Sequence, residues 1–301
     1  MWVSKRREII DLATKDVITT APTTTIKALC DLMMKTGKRK IPIIDSMHLL
    51  KGIVTSTDLI NYFGGGSKYF IMEKDYQGNF LSGINAPTSK VMTNEVFFVN
   101  EDEPVGSVAD KMLYQYFGGF PILNKDAKLI GFVTEQDFIA PLGGEKLNFP
   151  ARNAMTKKVI TITPETAIKD ASRIMCANQL RRLPVVSEHQ IIGMVRSYDI
   201  LKFISHAEFA KFHTLKTEAI LSEIAVNVMS KDVYAIDEEL DLGEVIRLFK
   251  EKRYGGFPIT KGDRLIGIIT ERDVFRAVYS TLKMHFPKKF NEMVFTLFHE
   301  K

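Results

Sequence analysis

The stretch GFVTEQD, residues 131–137, returns near the other end of the chain as GIITERD, residues 267–273. Two further copies, GIVTSTD and GMVRSYD, occupy residues 52–58 and 193–199, so glycine and aspartate lie 6 positions apart in all four. A unit that recurs within one chain is the sequence signature of a repeat architecture. The chain is therefore predicted to contain four copies of one structural unit.

Each copy follows an apolar strand centred on proline, and a small hydroxyl residue precedes that proline by 28 positions in every repeat. A short β-rich run follows the hydroxyl residue, and a helical pattern opens 12 positions after it. The helix starts are Ile26, Val105, Ile168 and Leu242. The proline and glycine segments are β-rich and separated by turn residues, which predicts a hairpin. Each unit is therefore predicted to run strand, helix, strand, strand, helix, an α/β (α+β) fold.

Spacing groups the four units into two pairs. Proline and glycine are 10 positions apart in the first two units and 9 apart in the last two. A unit of this size is marginal for a private core, so units should pack in pairs. We expect modules at 1–145 and 146–282, with the boundary in the Pro- and Gly-containing segment 141–150, and an unassigned C-terminal tail at 283–301. The expected repeats are at about 8–63, 88–141, 150–205 and 224–280.

Composition excludes several protein classes. The 301 residues are 45% hydrophobic and 26% charged, as in ordinary globular domains. No apolar run approaches the roughly 20 residues of a membrane helix, and the first ten residues lack a signal-peptide core. We therefore expect a cytoplasmic protein without membrane contact. The six histidines show no ligand spacing and the two cysteines are expected to be free thiols, so no metal site is predicted.

Taken together, these motifs resemble cystathionine-β-synthase (CBS) domains, here four of them as two Bateman modules. The shared pattern is a Met-Thr or similar pair before a Val-rich strand, the apolar-Pro-apolar strand and G-h-h-T-x-x-D, where h is an apolar residue. The layout, with GGGSKY and NFLSGIN between the first two units, is similar to archaeal four-CBS proteins related to the γ subunit of AMP-activated protein kinase. The resemblance implies a flat disc of four units whose inter-unit clefts bind AMP, ADP or ATP.

Each copy of the motif ends in a carboxylate at the predicted start of a helix, namely Asp58, Asp137, Asp199 and Asp273. An ionised carboxylate can accept hydrogen bonds from both hydroxyls of a ribose, so these four are the predicted ribose contacts. The predicted ribose or phosphate hydroxyls are Thr55, Thr134, Ser197 and Thr270 near the aspartates, and Thr14, Thr93, Thr156 and Ser230 upstream. The competing interpretation is that T-x-x-D is a capping box, which serves only the amides of its own helix.

The third repeat departs from this pattern. Arg196 replaces the threonine, and Ser197 moves the hydroxyl by one residue, which on a strand would point it to the opposite face. The arginine either reaches a phosphate or fills the cleft. Both outcomes make the Asp199 site different from the other three.

The residues before proline alternate between basic and Gly-Gly sequences. Arg39, Lys40, Arg181 and Arg182 lie where the resemblance places phosphate contacts, and guanidinium groups suit phosphate oxygens. Solvated loop charges are the alternative. Gly-Gly either lets backbone approach a ligand or permits a turn with positive φ. The residues predicted to line the base are Val17, Val96, Val159 and Val233, which are also ordinary strand core.

Three classes of function remain. The leading hypothesis is a regulatory sensor of adenine nucleotides that has no catalytic cofactor and acts on an unidentified protein partner. An enzyme would need a nucleophile, a general base or a metal cluster, and none is visible. A nucleic-acid-binding protein is suggested only by a net charge of +5 and a pI near 9.0. Another adenosine ligand such as S-adenosylmethionine stays open, as does a homodimer.

Overall fold

The structure is a computed structural model that describes residues 8–115, 117–188, 190–206, 216–262 and 264–285. Residues 286–301, most of the predicted tail, lie outside these ranges.

The first two repeats are joined by a helical connection. Their elements are α1 (Ile26–Thr36), β1 (Lys40–Ile44), β2 (Leu50–Thr55), α2 (Ser56–Ile60), α3 (Tyr69–Tyr76), α4 (Phe80–Ile84), β3 (Val99–Asn100), α5 (Val105–Gln115), β4 (Gly119–Leu123), β5 (Leu129–Thr134) and α6 (Glu135–Ile139). Helices α3 and α4 lie in the connection between these two repeats.

The last two repeats follow the same order. Their elements are α7 (Ile168–Ala177), β6 (Arg182–Ser187), β7 (Gln190–Arg196), α8 (Ser197–His206), α9 (Thr217–Ile220), α10 (Ala225–Val228), β8 (Ile236–Asp237), α11 (Leu242–Lys252), β9 (Gly256–Lys261), β10 (Arg264–Thr270) and α12 (Glu271–His285). All four predicted helix starts are confirmed to the residue. Helix α5 buries one apolar face, formed by Val105, Val108, Ala109 and Met112.

The predicted first strand of each repeat is wrong in length. It is two residues long in the second and fourth repeats and a single bridge in the other two, Thr20 with Ile43 and Ile162 with Val185. Only the end of each β-rich run reaches the neighbouring strand and pairs with it in parallel. The residues before each run lie beside the other repeat of the pair.

The predicted hairpins are confirmed in all four repeats as antiparallel pairs, β1–β2, β4–β5, β6–β7 and β9–β10. In each hairpin the proline faces the residue that follows the glycine, as in Pro42 with Ile53 and Pro258 with Ile268. Gln190 pairs with Arg264, which joins the hairpins of the last two repeats into one five-stranded sheet.

Backbone pairing and core packing connect different repeats. Bridges join the first repeat to the second and the third to the fourth, for example Thr14 with Phe132 and Thr156 with Ile268. The hydrophobic cores are instead shared by the first and third repeats and by the second and fourth. Helices α1 and α2 pack on α8, and α6 packs on α12. The four repeats therefore form a closed ring of contacts in which sheet and helix interfaces alternate.

Candidate functional site

The predicted sites are composite, because each upstream hydroxyl residue lies against the partner repeat. Thr14 bridges to Phe132, Thr93 to Ile53, Thr156 to Ile268 and Ser230 to Met194. Thr14 is thereby brought beside the strand that leads to Asp137, and Thr93 beside the strand that leads to Asp58. The hydroxyl and the carboxylate of one cleft come from different repeats.

The glycine of the repeated motif makes this crossing feasible. A Cβ atom at Gly52 would lie 3.0 Å from the backbone oxygen of Thr93 and 2.8 Å from the sulfur of Met92. At Gly267 it would lie 2.5 Å from the sulfur of Met155. Since the Met-Thr backbone of the partner passes directly over this position, a side chain there would push the two repeats apart.

All four aspartates cap the helix that they begin. In each, Oδ2 accepts the backbone N–H of the residue three positions earlier, at 2.7 to 2.8 Å. The hydroxyls of Thr55, Thr134 and Thr270 donate to the same oxygen at 2.6 to 2.7 Å. The capping interpretation therefore accounts for Oδ2 and for these three threonines. Any ribose contact has to use Oδ1.

Oδ1 of Asp58 is held by a lysine that no repeat pattern marked. The Nζ atom of Lys68, in the connection before α3, lies 2.5 Å from Asp58 Oδ1 and 2.6 Å from the carbonyl oxygen of Val91. Both carboxylate oxygens of Asp58 are thus engaged by the chain itself.

In the third repeat Arg196 forms an ion pair with Asp199, and it also lies in the wall of the cavity between repeats. Its Nε and Nη2 atoms donate to the two carboxylate oxygens of Asp199 at 2.8 and 2.7 Å. The guanidinium carbon lies 5.9 and 5.8 Å from the ring centres of Tyr198 and Tyr254. Hydrogen bonding to Asp199 raises the pKa of Arg196, and the Asp199 side chain is 8% exposed.

The Ser197 hydroxyl lies 3.1 Å from the hydroxyl of Ser56, in the contact between α8 and α2. Both side chains are buried. Ser197 is the first residue of α8 and not part of β7, so strand alternation does not set its direction, and its hydroxyl is engaged between repeats.

The carboxylates of Asp137 and Asp273 are free of cationic partners among the described residues. Burial is the largest influence on Asp137 and raises its pKa, with the hydrogen bonds from Thr134 and the charge of Lys38 acting in the other direction. Asp273 Oδ1 lies 3.3 Å from the Thr156 hydroxyl, which comes from the partner repeat.

A cavity of about 700 Å³ lies where the four repeats meet. Of the predicted site residues, its lining includes Thr14, Val17, Arg39, Lys40, Thr134, Asp137, Arg181, Arg182, Arg196, Ser197, Ser230 and Val233. The lining does not include Thr55, Asp58, Thr93, Val96, Thr156, Val159, Asp199, Thr270 or Asp273. The structure thus brings the predicted phosphate contacts together with one complete set of ribose residues, that of Asp137. All four valines are half-buried.

Three of the cationic side chains in this cavity have lowered pKa values. Burial, reinforced by Arg181, lowers the pKa of Lys40 to about 7. Burial also lowers the pKa of Arg181 to about 10 and that of Arg182 to about 9. Lys40, Arg181 and Arg182 are therefore not solvated loop charges, which was the alternative interpretation. Their mutual repulsion is a cost that an anion would relieve.

Two glutamates offset part of the cavity charge, and sequence reasoning did not include them. Glu271 accepts from Arg39 at 3.2 Å, and Glu135 accepts from Arg272 at 2.8 Å. Both follow the threonine of T-x-x-D in the Gly-Gly repeats, where the other two repeats have serine. Their shared position in the repeat could have identified both glutamates from the sequence.

The Gly-Gly pairs make room for these ion pairs and for the hairpin. A Cβ at Gly118 would lie 3.1 Å from both Glu135 Oε2 and Lys40 Nζ, and one at Gly255 would lie 2.9 Å from Arg39. Gly119 has φ +154° and would place a Cβ 2.6 Å from the Val133 carbonyl oxygen. Positive φ therefore applies to Gly119, which lies in β4 and not in a turn, while Gly118 and Gly255 leave room for side chains of the protein itself.

The described ranges contain no helix long and apolar enough to cross a membrane. Nor do they contain a group of three or more His, Cys, Asp or Glu side chains arranged to hold a metal ion.

The chain is similar to a known domain family and to known proteins. Four segments match the CBS domain, residues 9–65, 89–144, 151–206 and 222–280. Protein MJ1225 of Methanocaldococcus jannaschii is 32% identical over 266 residues, which is 87% of this chain and 95% of that protein. A Thermofilum pendens protein encoded in a ribosomal RNA operon is 25% identical over 248 residues, 81% of this chain and 83% of its own length.

Solved structures agree with the fold. The crystal structure of MJ1225, presented as a proposed archaeal homologue of g-AMPK, superposes with a TM-score of 0.84 at 30% identity and covers 90% of this chain and 100% of that one. A Pyrococcus horikoshii protein has a TM-score of 0.57 at 17% identity, with 90% and 100% coverage, and shares the fold alone. The predicted resemblance and fold class are confirmed: the chain belongs to the CBS-domain family and carries four CBS repeats.

Proposed function

We propose that this protein is a non-catalytic regulatory subunit or sensor that binds adenine nucleotides, AMP, ADP or ATP, in composite clefts between its repeats. The observation that carries the proposal is the Asp137 cleft. There a carboxylate with a free oxygen, a hydroxyl from the partner repeat and four half-buried cations line one cavity. CBS domains form a regulatory family, and many of its members bind adenosine ligands.

The cleft offers a distinct partner for each part of a nucleotide. Asp137 Oδ1 would accept the ribose hydroxyls, since Oδ2 is already engaged by the helix cap. Val17, half-buried in the same lining, would pack on the base. Arg39, Lys40 and Arg181 would meet the phosphates through charge-assisted hydrogen bonds, which are about twice as strong as neutral ones.

The charge of the cavity favours phosphates over S-adenosylmethionine. That ligand carries a sulfonium cation next to the ribose, which would face four cationic side chains in a partly buried cavity. Like charges a few ångströms apart at an effective dielectric constant near 20 repel by several kcal/mol. Nucleic acid is disfavoured for a different reason, because these cations line a cavity between repeats and do not form an outer face.

Catalysis has no support from the arrangement of groups. The four motif aspartates act as helix caps, and within the described ranges no nucleophile is paired with a general base beside the cavity cations. We further propose that the regulated partner is another protein, since a sensor without chemistry acts only through what it contacts. Binding in the clefts would change how the repeats pack across their shared interfaces.

The test is calorimetric titration of the purified protein with ATP, ADP, AMP, adenosine and S-adenosylmethionine. We expect saturable binding of the nucleotides and weaker binding of adenosine and S-adenosylmethionine. Asp137→Asn should weaken nucleotide binding, while the matched control Asp126→Asn, in an exposed hairpin turn of the same repeat, should not. Absence of binding by every adenosine ligand would refute the proposal. Salt-sensitive nanomolar binding of DNA or RNA in a filter assay would favour the nucleic-acid alternative.

A further inference from the structure

The four ribose aspartates differ in how their second carboxylate oxygen is used. Oδ2 of each is engaged by the cap of its own helix. A ribose therefore competes for Oδ1. Whether an internal donor already holds that oxygen decides if a cleft can accept a nucleoside.

Two of the four oxygens are held by cations of the chain. Lys68 donates to Asp58 Oδ1, and its second bond to the Val91 carbonyl fixes the ammonium in place. Arg196 binds Asp199 through both oxygens, and its planar guanidinium lies near two tyrosine rings. In both clefts a charged donor already occupies the oxygen on which a ribose hydroxyl would bind.

The other two oxygens carry no such partner. Within the described ranges, no lysine or arginine forms an ion pair with Asp137 or Asp273. The Thr156 hydroxyl, an uncharged donor, approaches Asp273 Oδ1 at 3.3 Å, which is long for a hydrogen bond. A ribose diol could displace or join it at little cost.

We infer that Lys68 and Arg196 are internal occupants that close the Asp58 and Asp199 clefts to nucleosides, so that only the Asp137 and Asp273 clefts are open. An ion pair adds Coulomb attraction between two charged groups, which an uncharged ribose hydroxyl cannot replace. Displacing the cation would leave its charge without a carboxylate partner, at a site where the Asp199 side chain is only 8% exposed. The inference rests on the proposed function, and it specifies which of the four sites perform that function.

The aspartates of the open clefts belong to the second and fourth repeats, which share one hydrophobic core, and those of the closed clefts belong to the first and third, which share the other. Ligand would therefore bind to aspartates on one half of the ring. The arginine is also chemically matched to the site that it closes, since it presents a planar group to two rings and donors to the carboxylate.

The experiment counts AMP bound per chain by equilibrium dialysis. The wild type should bind about two molecules, one for each open carboxylate. Lys68→Met should raise the count to about three, and Arg196→Thr, which restores the residue of the other repeats, should do the same. Adding Asp58→Asn to Lys68→Met should remove the gained site again.

Matched ion-pair variants provide the controls. Lys90→Met breaks a lysine–aspartate pair that is more exposed, and Arg173→Thr breaks an arginine–aspartate pair with the same i,i+3 spacing on α7. Neither should change the count. A wild type that binds about four AMP, or variants that leave or lower the wild-type count, would overturn the inference while leaving the proposed function intact. No AMP binding by the wild type would overturn the inference, and no binding of any adenosine ligand would overturn the proposed function as well.

Discussion

Lys40 should take up a proton when a nucleoside triphosphate enters the cavity. Its ammonium faces Arg181, Arg39 and Arg272, which lower its pKa, and Glu135, which raises it. Burial is the largest cause of the lowered value of about 7. Phosphates beside the ammonium would reverse that effect, because they favour the charged form.

The size of the effect follows from that pKa. With a pKa of about 7, Lys40 is roughly one-tenth protonated at pH 8 and roughly nine-tenths protonated at pH 6. A negative charge about 4 Å away at an effective dielectric constant near 20 contributes about 4 kcal/mol, enough to return the pKa to near 10. Binding should therefore take up about 0.9 proton at pH 8 and about 0.1 at pH 6 through Lys40.

The assay is calorimetric titration with ATP in buffers of different ionisation enthalpy, which reports the number of protons exchanged. Lys40→Met is the control for titration of ATP itself, and adenosine is the control for binding without phosphate. Uptake at pH 8 that is the same in wild type and Lys40→Met would refute the reasoning, because it would assign the proton to another group.

A second readout does not need ligand. The folded pKa of Lys40 lies below that of a free lysine, so the unfolded state binds the extra proton and the cost to stability is greatest below pH 7. The cost disappears above the unfolded pKa, near 10.4. Lys40→Met should thus raise the melting temperature more at pH 6 than at pH 10.

Four other substitutions test the site and the packing around it. Arg39→Ala and Arg181→Ala should weaken ATP and ADP more than adenosine in the same titration; equal losses would assign both side chains to folding. Gly119→Ala should cost about 1 to 3 kcal/mol in chemical unfolding because of its positive φ and the nearby carbonyl oxygen, whereas Gly106→Ala, in the open part of α5, should cost nothing. Arg272→Met should destabilise the protein by about 3 kcal/mol by leaving its buried glutamate partner unpaired, and an unchanged denaturation midpoint would contradict this.

Structural features that recur in every repeat were predictable from the sequence. The helix starts at Ile26, Val105, Ile168 and Leu242 and the four hairpins follow from fixed offsets, because one folding unit imposes the same local structure each time. The equivalence of Arg39 and Lys40 with Arg181 and Arg182 was also visible, since both pairs lie at the same offsets from proline.

Features that depend on one repeat or on packing between repeats were not predictable. Lys68 lies in a connection that occurs once, so no offset could reveal its contact with Asp58. That Thr14 joins Asp137, and not the aspartate of its own repeat, depends on how two repeats cross. Helix-face patterns show that α2 needs a partner but do not say that the partner is α8 in the third repeat. Spacing between motifs carries no information about which repeats share a core.

The most direct test of the central claim is a crystal structure of the protein grown with ATP. The account predicts nucleotide in the Asp137 cleft, with ribose hydroxyls on Asp137 Oδ1, the base against Val17 and phosphates among Arg39, Lys40 and Arg181. Nucleotide bound elsewhere with this cavity unchanged, or ribose bound to Asp199 with Arg196 displaced, would contradict it.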